Sequence, residues 1–381
     1  MVVKVMQINS GERFGGVSSM IFNFYKNIDK TKVQFDFVAP KKTSFEIYRD
    51  EITQMGGNIV ELKTSGNFIK RKVEFIKRLS RLIKEKKYDV VHINSGSIFL
   101  NIQVAWIAKI CGVNNVIAHS HNAGNEHMLM LLLTKLCKPL LTIGPDLYFA
   151  CSNKAAEFMF TKKRIKNKEY KVINNAIDLN EFRFKKDVRK IYREKINAKE
   201  KTVMLHVGRF VKAKNHDMVI EIFNQYHKKN KQSMLLLVGE GELEKEIKEK
   251  VRNLNLSEDV LFMGLRKDVS SIMNAADVFL LPSFFEGLPV VGIEAQANGL
   301  ASVFSDSITR EVDLNDENNA FISLEEKKEI WSSAITKLLA KNKLNKREQA
   351  SNIIKKSGYD LVDVSNELQG IYEKISCREE K

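Results

Sequence analysis

Residues 202–241, TVMLHVGRFVKAKNHDMVIEIFNQYHKKNKQSMLLLVGEG, decide how this chain folds. Thr202–Val207 is a short apolar run, His216–Lys229 carries apolar residues at helical spacing, and Met234–Val238 is a second apolar run closed by Gly239-Glu240-Gly241. A strand that is apolar throughout is covered on both faces, and strand, helix and strand in succession make a parallel crossover. The pattern continues downstream through Val260–Met263, Val278–Leu281 and Ala301–Ser305, each reading as a strand. Upstream, Val2–Ile8 reads as a buried strand, followed by a turn rich in glycine (Gly11, Gly15, Gly16) and a helix over Ser18–Asn27. Val33–Val38, Tyr88–Asn94, Asn115–Ala118 and Leu147–Ala150 are further strands, and Val73, Ile76, Leu79, Leu82 and Ile83 mark a helix with a basic outer face. Two series of alternating strands and helices predict an α/β protein with two Rossmann-like, doubly wound parallel sheets. The polar, charged stretch 179–199 is placed as the linker. The domains are then 1–178 and 200–358, with a deep cleft between them.

Composition narrows the function. The 381 residues are 44% hydrophobic and 29% charged, which excludes a disordered chain, a collagen-like repeat and a disulfide-held miniprotein. Lys and Arg number 62 against 47 Asp and Glu, a net +15 that favours anionic partners such as nucleic acid, sugar nucleotides or an anionic membrane face. No nucleic-acid motif is present, and the basic residues lie on helices rather than among stacking aromatics, so no nucleic-acid partner is expected. The four cysteines are scattered, as in a reducing compartment. The first residues hold too short an apolar stretch for a signal peptide, and no run reaches the roughly 18 apolar residues of a membrane span. A cytoplasmic protein is expected, with the inner face of the cell membrane as a second location.

In an open parallel sheet, ligands bind beyond the carboxyl ends of the strands. Three loops occupy such positions. Gly15-Gly16 follows the first strand and would let backbone N–H groups approach a phosphate at a helix start, although it is not the full dinucleotide fingerprint and a plain turn has the same sequence. Gly208-Arg209, with Lys214 five residues beyond Arg209, follows the strand at 202–207 and offers a guanidinium fork and an ammonium suited to a diphosphate. LPSFFEGLPVVGIE, residues 281–294, holds two carboxylates, Glu286 in the loop and Glu294 two turns into an otherwise uncharged helix. A lone carboxylate on a buried helix needs a partner, and a ligand hydroxyl supplies one. His119, His121 and His127 could be read as a metal cluster, but no carboxylate or cysteine completes the set a closed site wants.

Taken together these segments resemble the retaining, nucleotide-sugar-dependent glycosyltransferases of the GT-B fold with the E-x7-E motif, the large family that includes bacterial capsule and exopolysaccharide transferases. Glu286-Gly287-Leu288-Pro289-Val290-Val291-Gly292-Ile293-Glu294 matches the motif, and residues 207–217, 235–243, 172–182 and 13–17 fall in the family's order. The resemblance covers nearly the whole chain and is weakest over 43–87. Ala176 and Ala301 depart from the family's usual Gly and Pro.

The resemblance implies that Gly15, Gly16 and Gly239 approach the donor diphosphate and that Arg209 and Lys214 neutralise it. It implies that Glu286, with the amides of Gly287 and Leu288, holds the sugar, and that Glu294 grips the ribose. His121 corresponds to a histidine near the sugar, with His119 as the alternative because the HSH spacing fits both. No metal and no cofactor are implied. The donor is a nucleotide-sugar, UDP-linked by the family's habit, and the acceptor a saccharide or a lipid-linked one. A helix from about Tyr359, with Leu361, Val364, Leu368 and Ile371 in a stripe, should pack back on the first domain. A sugar-nucleotide epimerase or phosphorylase shares this architecture, as does a binding protein that has lost catalysis. Finally, residues 70–87 carry nine Lys or Arg against Glu74 and Glu85, residues 162–171 carry six against Glu169, and Met128–Leu133 is apolar. Such a face is either an ordinary solvated surface or a docking face for anionic membrane.

Overall fold

The computed structural model describes residues 2–9, 15–121, 128–342 and 344–377. The chain divides into two compact units, 1–176 with 361–381, and 177–360.

The first unit is built on a sheet of seven parallel strands, β1 (Val3–Asn9), β2 (Val33–Ala39), β3 (Asn58–Glu61), β4 (Val90–Asn94), β5 (Asn115–Ser120), β6 (Leu147–Ala150) and β7 (Lys171–Val172). Their order is β3-β2-β1-β4-β5-β6-β7, so the winding reverses between β1 and β4. Val5 pairs with Phe35 on one side and Val90 on the other, and all three side chains enter one core with Met20, Phe24 and Tyr25 of the helix Gly16–Asn27. Met6 and Ile8 alternate to the opposite face, against Phe75 and Leu79 of the helix Phe68–Lys86 and Val104 of the helix Ile98–Ile110. With both faces covered, near-continuous apolar strands are what the sheet requires.

The second unit repeats the plan with six strands, β8 (Thr202–Val207), β9 (Ser233–Val238), β10 (Val260–Gly264), β11 (Val278–Leu281), β12 (Ala301–Ser305) and β13 (Asn319–Ile322), in the order β10-β9-β8-β11-β12-β13. Its winding reverses between β8 and β11. Met204 packs with Val219, Ile222 and Phe223, whereas Val203 and Leu205 face Ile272 and Ile293.

Three features differ from the sequence reading. The stretch 179–199 is not a linker but part of the second unit, forming the helices Leu179–Phe182 and Lys186–Lys195. The latter packs on the helix Val269–Ala275 and buries Tyr192 and Arg193. Its charges misled because they are used inside: Arg189 and Arg193 bind the two oxygens of Asp277 at 2.5 and 3.1 Å. Second, the basic helix Phe68–Lys86 buries Phe75, Leu79 and Ile83, while Val73 and Ile76, assigned to its inner stripe, are 58% and 45% exposed. Third, β3, β7 and β13 are short strands at the sheet edges, too brief and too exposed for an apolar run to mark them.

The chain enters and leaves the second unit side by side, the Ile177 N–H donating to the Tyr359 carbonyl at 3.0 Å. It then runs into the helix Leu361–Ser376, which lies on the first unit against the helix Gly16–Asn27, β1 and β2. Leu361, Val364, Leu368 and Tyr372 are buried there. Each such side chain is worth roughly 1.5–3 kcal/mol, so four approach the whole stability of a domain. A chain ending at Asp360 should therefore lose the calorimetric transition of the first unit and keep that of the second. Two unchanged transitions would show that the last helix contributes nothing to the first unit.

Candidate active site

In the second unit, the loops after β8 and β9 are locked together at the carboxyl edge. Gly239 has φ +134°, and a Cβ there would sit 2.1 Å from the Gly208 carbonyl oxygen. A Cβ at Gly241 would lie 2.5 Å from the Phe210 carbonyl oxygen. Only glycine allows so close an approach of two backbones. The contact is sealed by Gly208 N–H donating to Val238 O at 2.9 Å and Phe210 N–H to Glu240 O at 3.0 Å. The Phe210 ring stacks on His216 with centroids 4.0 Å apart. The chain then turns through Asn215, in left-handed conformation at φ 54°, into the helix His216–Lys229.

The loop after β11 is stitched to the same place. Phe284 N–H donates to Ala213 O at 2.9 Å, and the Asn215 side chain donates to Pro282 O at 3.0 Å. These bonds bring Lys214 Nζ to 2.5 Å from Glu286 Oε1, which also accepts from Ser283 Oγ at 2.9 Å. The sequence reading gave Lys214 and Glu286 separate tasks. The structure joins them as a partly buried ion pair. Arg209 is exposed, and its guanidinium has no hydrogen-bonding partner among the described residues. Gly287 and Leu288 lead through Pro289 into the helix Val290–Ala297, which has no side-chain cap and no acid in its first turn.

Glu294 lies on that helix, and its carboxyl has neither a hydrogen bond nor an ion pair among the described residues. Burial, with a lesser contribution from the charge of Glu181, pushes its pKa up to about 8. A carboxyl left so poorly solvated is poised to gain from a hydroxyl donor. Glu181 was invisible as a neighbour in the sequence, because it belongs to the stretch placed as a linker.

In the first unit, Gly15 precedes the helix Gly16–Asn27 in extended conformation, and among the described residues a Cβ at Gly15 or Gly16 would meet nothing within 4 Å. Arg13 and Phe14 of the quoted motif, and His127, lie outside the described residues. Among the described residues, no three His, Cys, Asp or Glu side chains gather as a metal-binding set.

The carboxyl ends of β1, β4 and β5 carry buried polar side chains instead of apolar ones. His121 Nε2 lies 3.2 Å from Asn94 Oδ1, and its ring is 4.0 Å from that of His119. His119 is wholly buried, with Nδ1 3.1 Å from His92 Nε2, whereas His121 keeps some accessible surface. Burial brings the pKa of His92 and of His121 down to about 3 and lowers that of His119 as well, so all three rings are neutral. His92 and Asn94 were not singled out from sequence. A histidine in an apolar strand is ordinarily a core residue, and its neighbours come from distant segments.

The family model described as "Glycosyl transferases group 1" matches residues 188–357, and that described as "Glycosyltransferase Family 4" matches residues 14–181. The chain is 30% identical over 384 residues to "Putative glycosyltransferase EpsF" of Bacillus subtilis (strain 168), covering 97% of this chain and 96% of that one. It is 27% identical over 296 residues to the UDP-Gal:alpha-D-GlcNAc-diphosphoundecaprenol alpha-1,3-galactosyltransferase of Escherichia coli, covering 73% and 75% of the two chains. Among solved structures, Anabaena HepE in complex with UDP-glucose shares the fold with a TM-score of 0.78 at 18% identity, over 97% of this chain and 98% of that one. Two sheets with the same winding, matched in turn by the two family models and by a relative along almost the full length, lead to one assignment: the chain belongs to the group 1 glycosyltransferases of the GT-B fold, with a family 4 domain in its first half.

Proposed function

We propose that this protein is a retaining hexosyltransferase that moves a sugar from a nucleotide-sugar, UDP-linked, to a saccharide or lipid-linked acceptor in the synthesis of a surface or capsular polysaccharide. The observation that carries the reading is the Glu294 carboxyl, without a hydrogen bond or ion pair among the described residues, on the helix that follows the loop of the Lys214–Glu286 pair. Names of similar proteins add support: UDP-glucose is bound by the structural neighbour, and a diphosphoundecaprenol acceptor is named for the Escherichia coli relative.

In this reading the ribose hydroxyls donate to Glu294, and the diphosphate lies against Arg209 and Lys214, with the backbone of Gly239 at its edge; Gly15 and Gly16 keep the diphosphate-binding role that the resemblance implies. The bond between the anomeric carbon and the diphosphate breaks, and the nucleoside diphosphate leaves with the electron pair. The acceptor hydroxyl attacks on the face just vacated, and its proton passes to a diphosphate oxygen. Glu286, with the amides of Gly287 and Leu288, holds the sugar hydroxyls, and His121 is the residue of the first unit that the resemblance assigns to the sugar. The protein supplies position and fixed charge, and neither metal nor cofactor is invoked.

The two carboxylates should separate by role. Glu294→Ala should chiefly weaken binding of free UDP, and Glu286→Ala, which also releases Lys214, should chiefly depress turnover with a smaller loss of UDP affinity. Arg209→Ala should cost roughly 10²–10³ in kcat, the scale of one lost oxyanion donor. The assay is nucleotide release over a panel of donors and acceptors. Equal loss of UDP affinity in both glutamate variants would contradict the assignment, and conversion of a UDP-sugar to its epimer with no acceptor present would favour an epimerase.

Glu294 also predicts a proton linkage. With a pKa of about 8 the carboxyl is mostly protonated at pH 7, and a ligand that requires the carboxylate must expel that proton. UDP affinity should rise between pH 6.5 and about 8 and level off above. Titration calorimetry at pH 7 in buffers of different ionisation enthalpy should show close to one proton released, and Glu294→Gln should show none. Zero release by the unaltered protein would remove the ribose from Glu294.

The acceptor side of the proposal extends to an anionic membrane. Among the described residues no helix is long and apolar enough to cross a bilayer. The helix Phe68–Lys86, however, exposes Phe68, Ile69, Val73 and Ile76 among its basic residues. Leu132 and Leu136 of the helix Met128–Cys137 are also exposed. Apolar side chains flanked by cations suit the boundary between headgroups and acyl chains, each cation adding about 1 kcal/mol on an anionic leaflet. Co-sedimentation with vesicles should require anionic lipid, fade as salt rises and weaken in Ile69→Glu/Val73→Glu. Equal binding to neutral and anionic vesicles, or none to either, would defeat this part of the reading.

A further inference from the structure

Six side chains from four distant segments of the first unit, five of them buried and His121 half-buried, form one hydrogen-bonded circuit. Its direction is fixed by the two amides. His121 Nε2 faces Asn94 Oδ1 at 3.2 Å, an oxygen that only accepts, so the His121 proton is on Nε2. Asn94 Nδ2 donates to Gln7 Oε1 at 2.7 Å, and Gln7 Nε2 donates to the Tyr372 hydroxyl at 2.9 Å. That hydroxyl spends its own proton on His92 Nδ1, 2.7 Å away. His92 therefore carries its proton on Nε2 and donates to His119 Nδ1 at 3.1 Å, leaving the proton of His119 on Nε2. The circuit opens where the His119 and His121 rings meet, 4.0 Å apart. There His119 Nε2 and His121 Nδ1 are buried with no partner among the described residues.

We infer that this circuit is a positioning device. Tyr372, on the last helix of the chain, sets through Gln7–Asn94 on one arm and His92–His119 on the other the tautomer and ring orientation of His121, so that His121 offers its Nδ1 lone pair and His119 its Nε2–H to a ligand hydroxyl. Six polar groups in an apolar core are costly unless every one is matched, and the two left unmatched belong to neighbouring rings whose centroids are 4.0 Å apart. The interior at Tyr372 is a T-shaped contact with Phe35, so a phenylalanine there would pack as well. The hydroxyl serves the circuit. The inference rests on the reading of His121 as a residue near the reacting sugar.

The tautomers are read directly from the full-length protein labelled with ¹⁵N, by long-range proton–nitrogen correlation of the imidazoles at pH 7.5. All three rings should be neutral with the proton on Nε2, and any of them protonated on Nδ1, or charged, overturns the circuit. Tyr372→Phe should shift the His92 signature and lower kcat roughly tenfold with the donor KM changed less than twofold. Gln7→Met, on the other arm, should do the same to Asn94 and His121. The double variant should lose little more than either single change, since both break one unit. A lower melting temperature with kcat unchanged in both single variants would make the circuit structural only and overturn the inference. The reading beneath it is tested apart: undiminished turnover in His121→Ala would remove that residue from the reaction, whatever the tautomers.

Discussion

The Gly208 carbonyl oxygen occupies the space in which a side chain at residue 239 would begin, and the loops at the carboxyl edge of the second unit's sheet depend on that contact. Because the two loops touch backbone to backbone, the chain after β8 has one path. It runs under Glu240, around Phe210 stacked on His216, and out through a left-handed Asn215. That path delivers Lys214 to Glu286 from the neighbouring strand's loop. A single side chain at residue 239 would push the loops apart and remove the reference frame for the cation and the carboxylate together. Rigid backbone placed before flexible side chains is how a site made of long residues gains precision.

The two units solve the same topological problem with different chemistry. Each sheet reverses its winding beside its first strand, where the carboxyl ends leave a crevice outside the sheet. The second unit fills that edge with charge: Arg209, Lys214 and Glu286. The first fills it with neutral hydrogen-bonding groups, amides and imidazoles kept uncharged by burial. Charge suits an anionic diphosphate, whereas neutral donors and acceptors suit hydroxyls, for which a buried ion would be an expensive partner.

Basic residues serve two opposite ends in this chain, and their count conceals it. Some of the positive charge is solvated, as on the helix Phe68–Lys86. Some is core: Arg347 is buried with its guanidinium donating to the carbonyls of Asn298, Ala276 and Met273, and desolvation brings its pKa down to about 9. Arg189 and Arg193 likewise close on Asp277 and on neighbouring helix-end carbonyls. An arginine fork satisfies several such oxygens at once, which lysine does not.

Local pattern alone determined the alternation of strands and helices, the parallel sheets and the glycine-rich turns, because strand burial and helical period are written in neighbouring residues. The motif at 286–294 and the basic pair after β8 were legible for the same reason, each lying within one segment. Tertiary structure decided what spans segments. It turned a charged stretch into a packed helix, since Asp277 lies some eighty residues from the arginines it binds. It turned Val73 and Ile76 outward, because a helix's period shows a stripe but not which stripe meets the sheet. It joined Gln7, His92 and Tyr372, whose separations along the chain reach 365 residues. Hydrogen bonds act over 3 Å of space and are blind to the length of chain between their ends, so such a circuit exists only once the fold has closed.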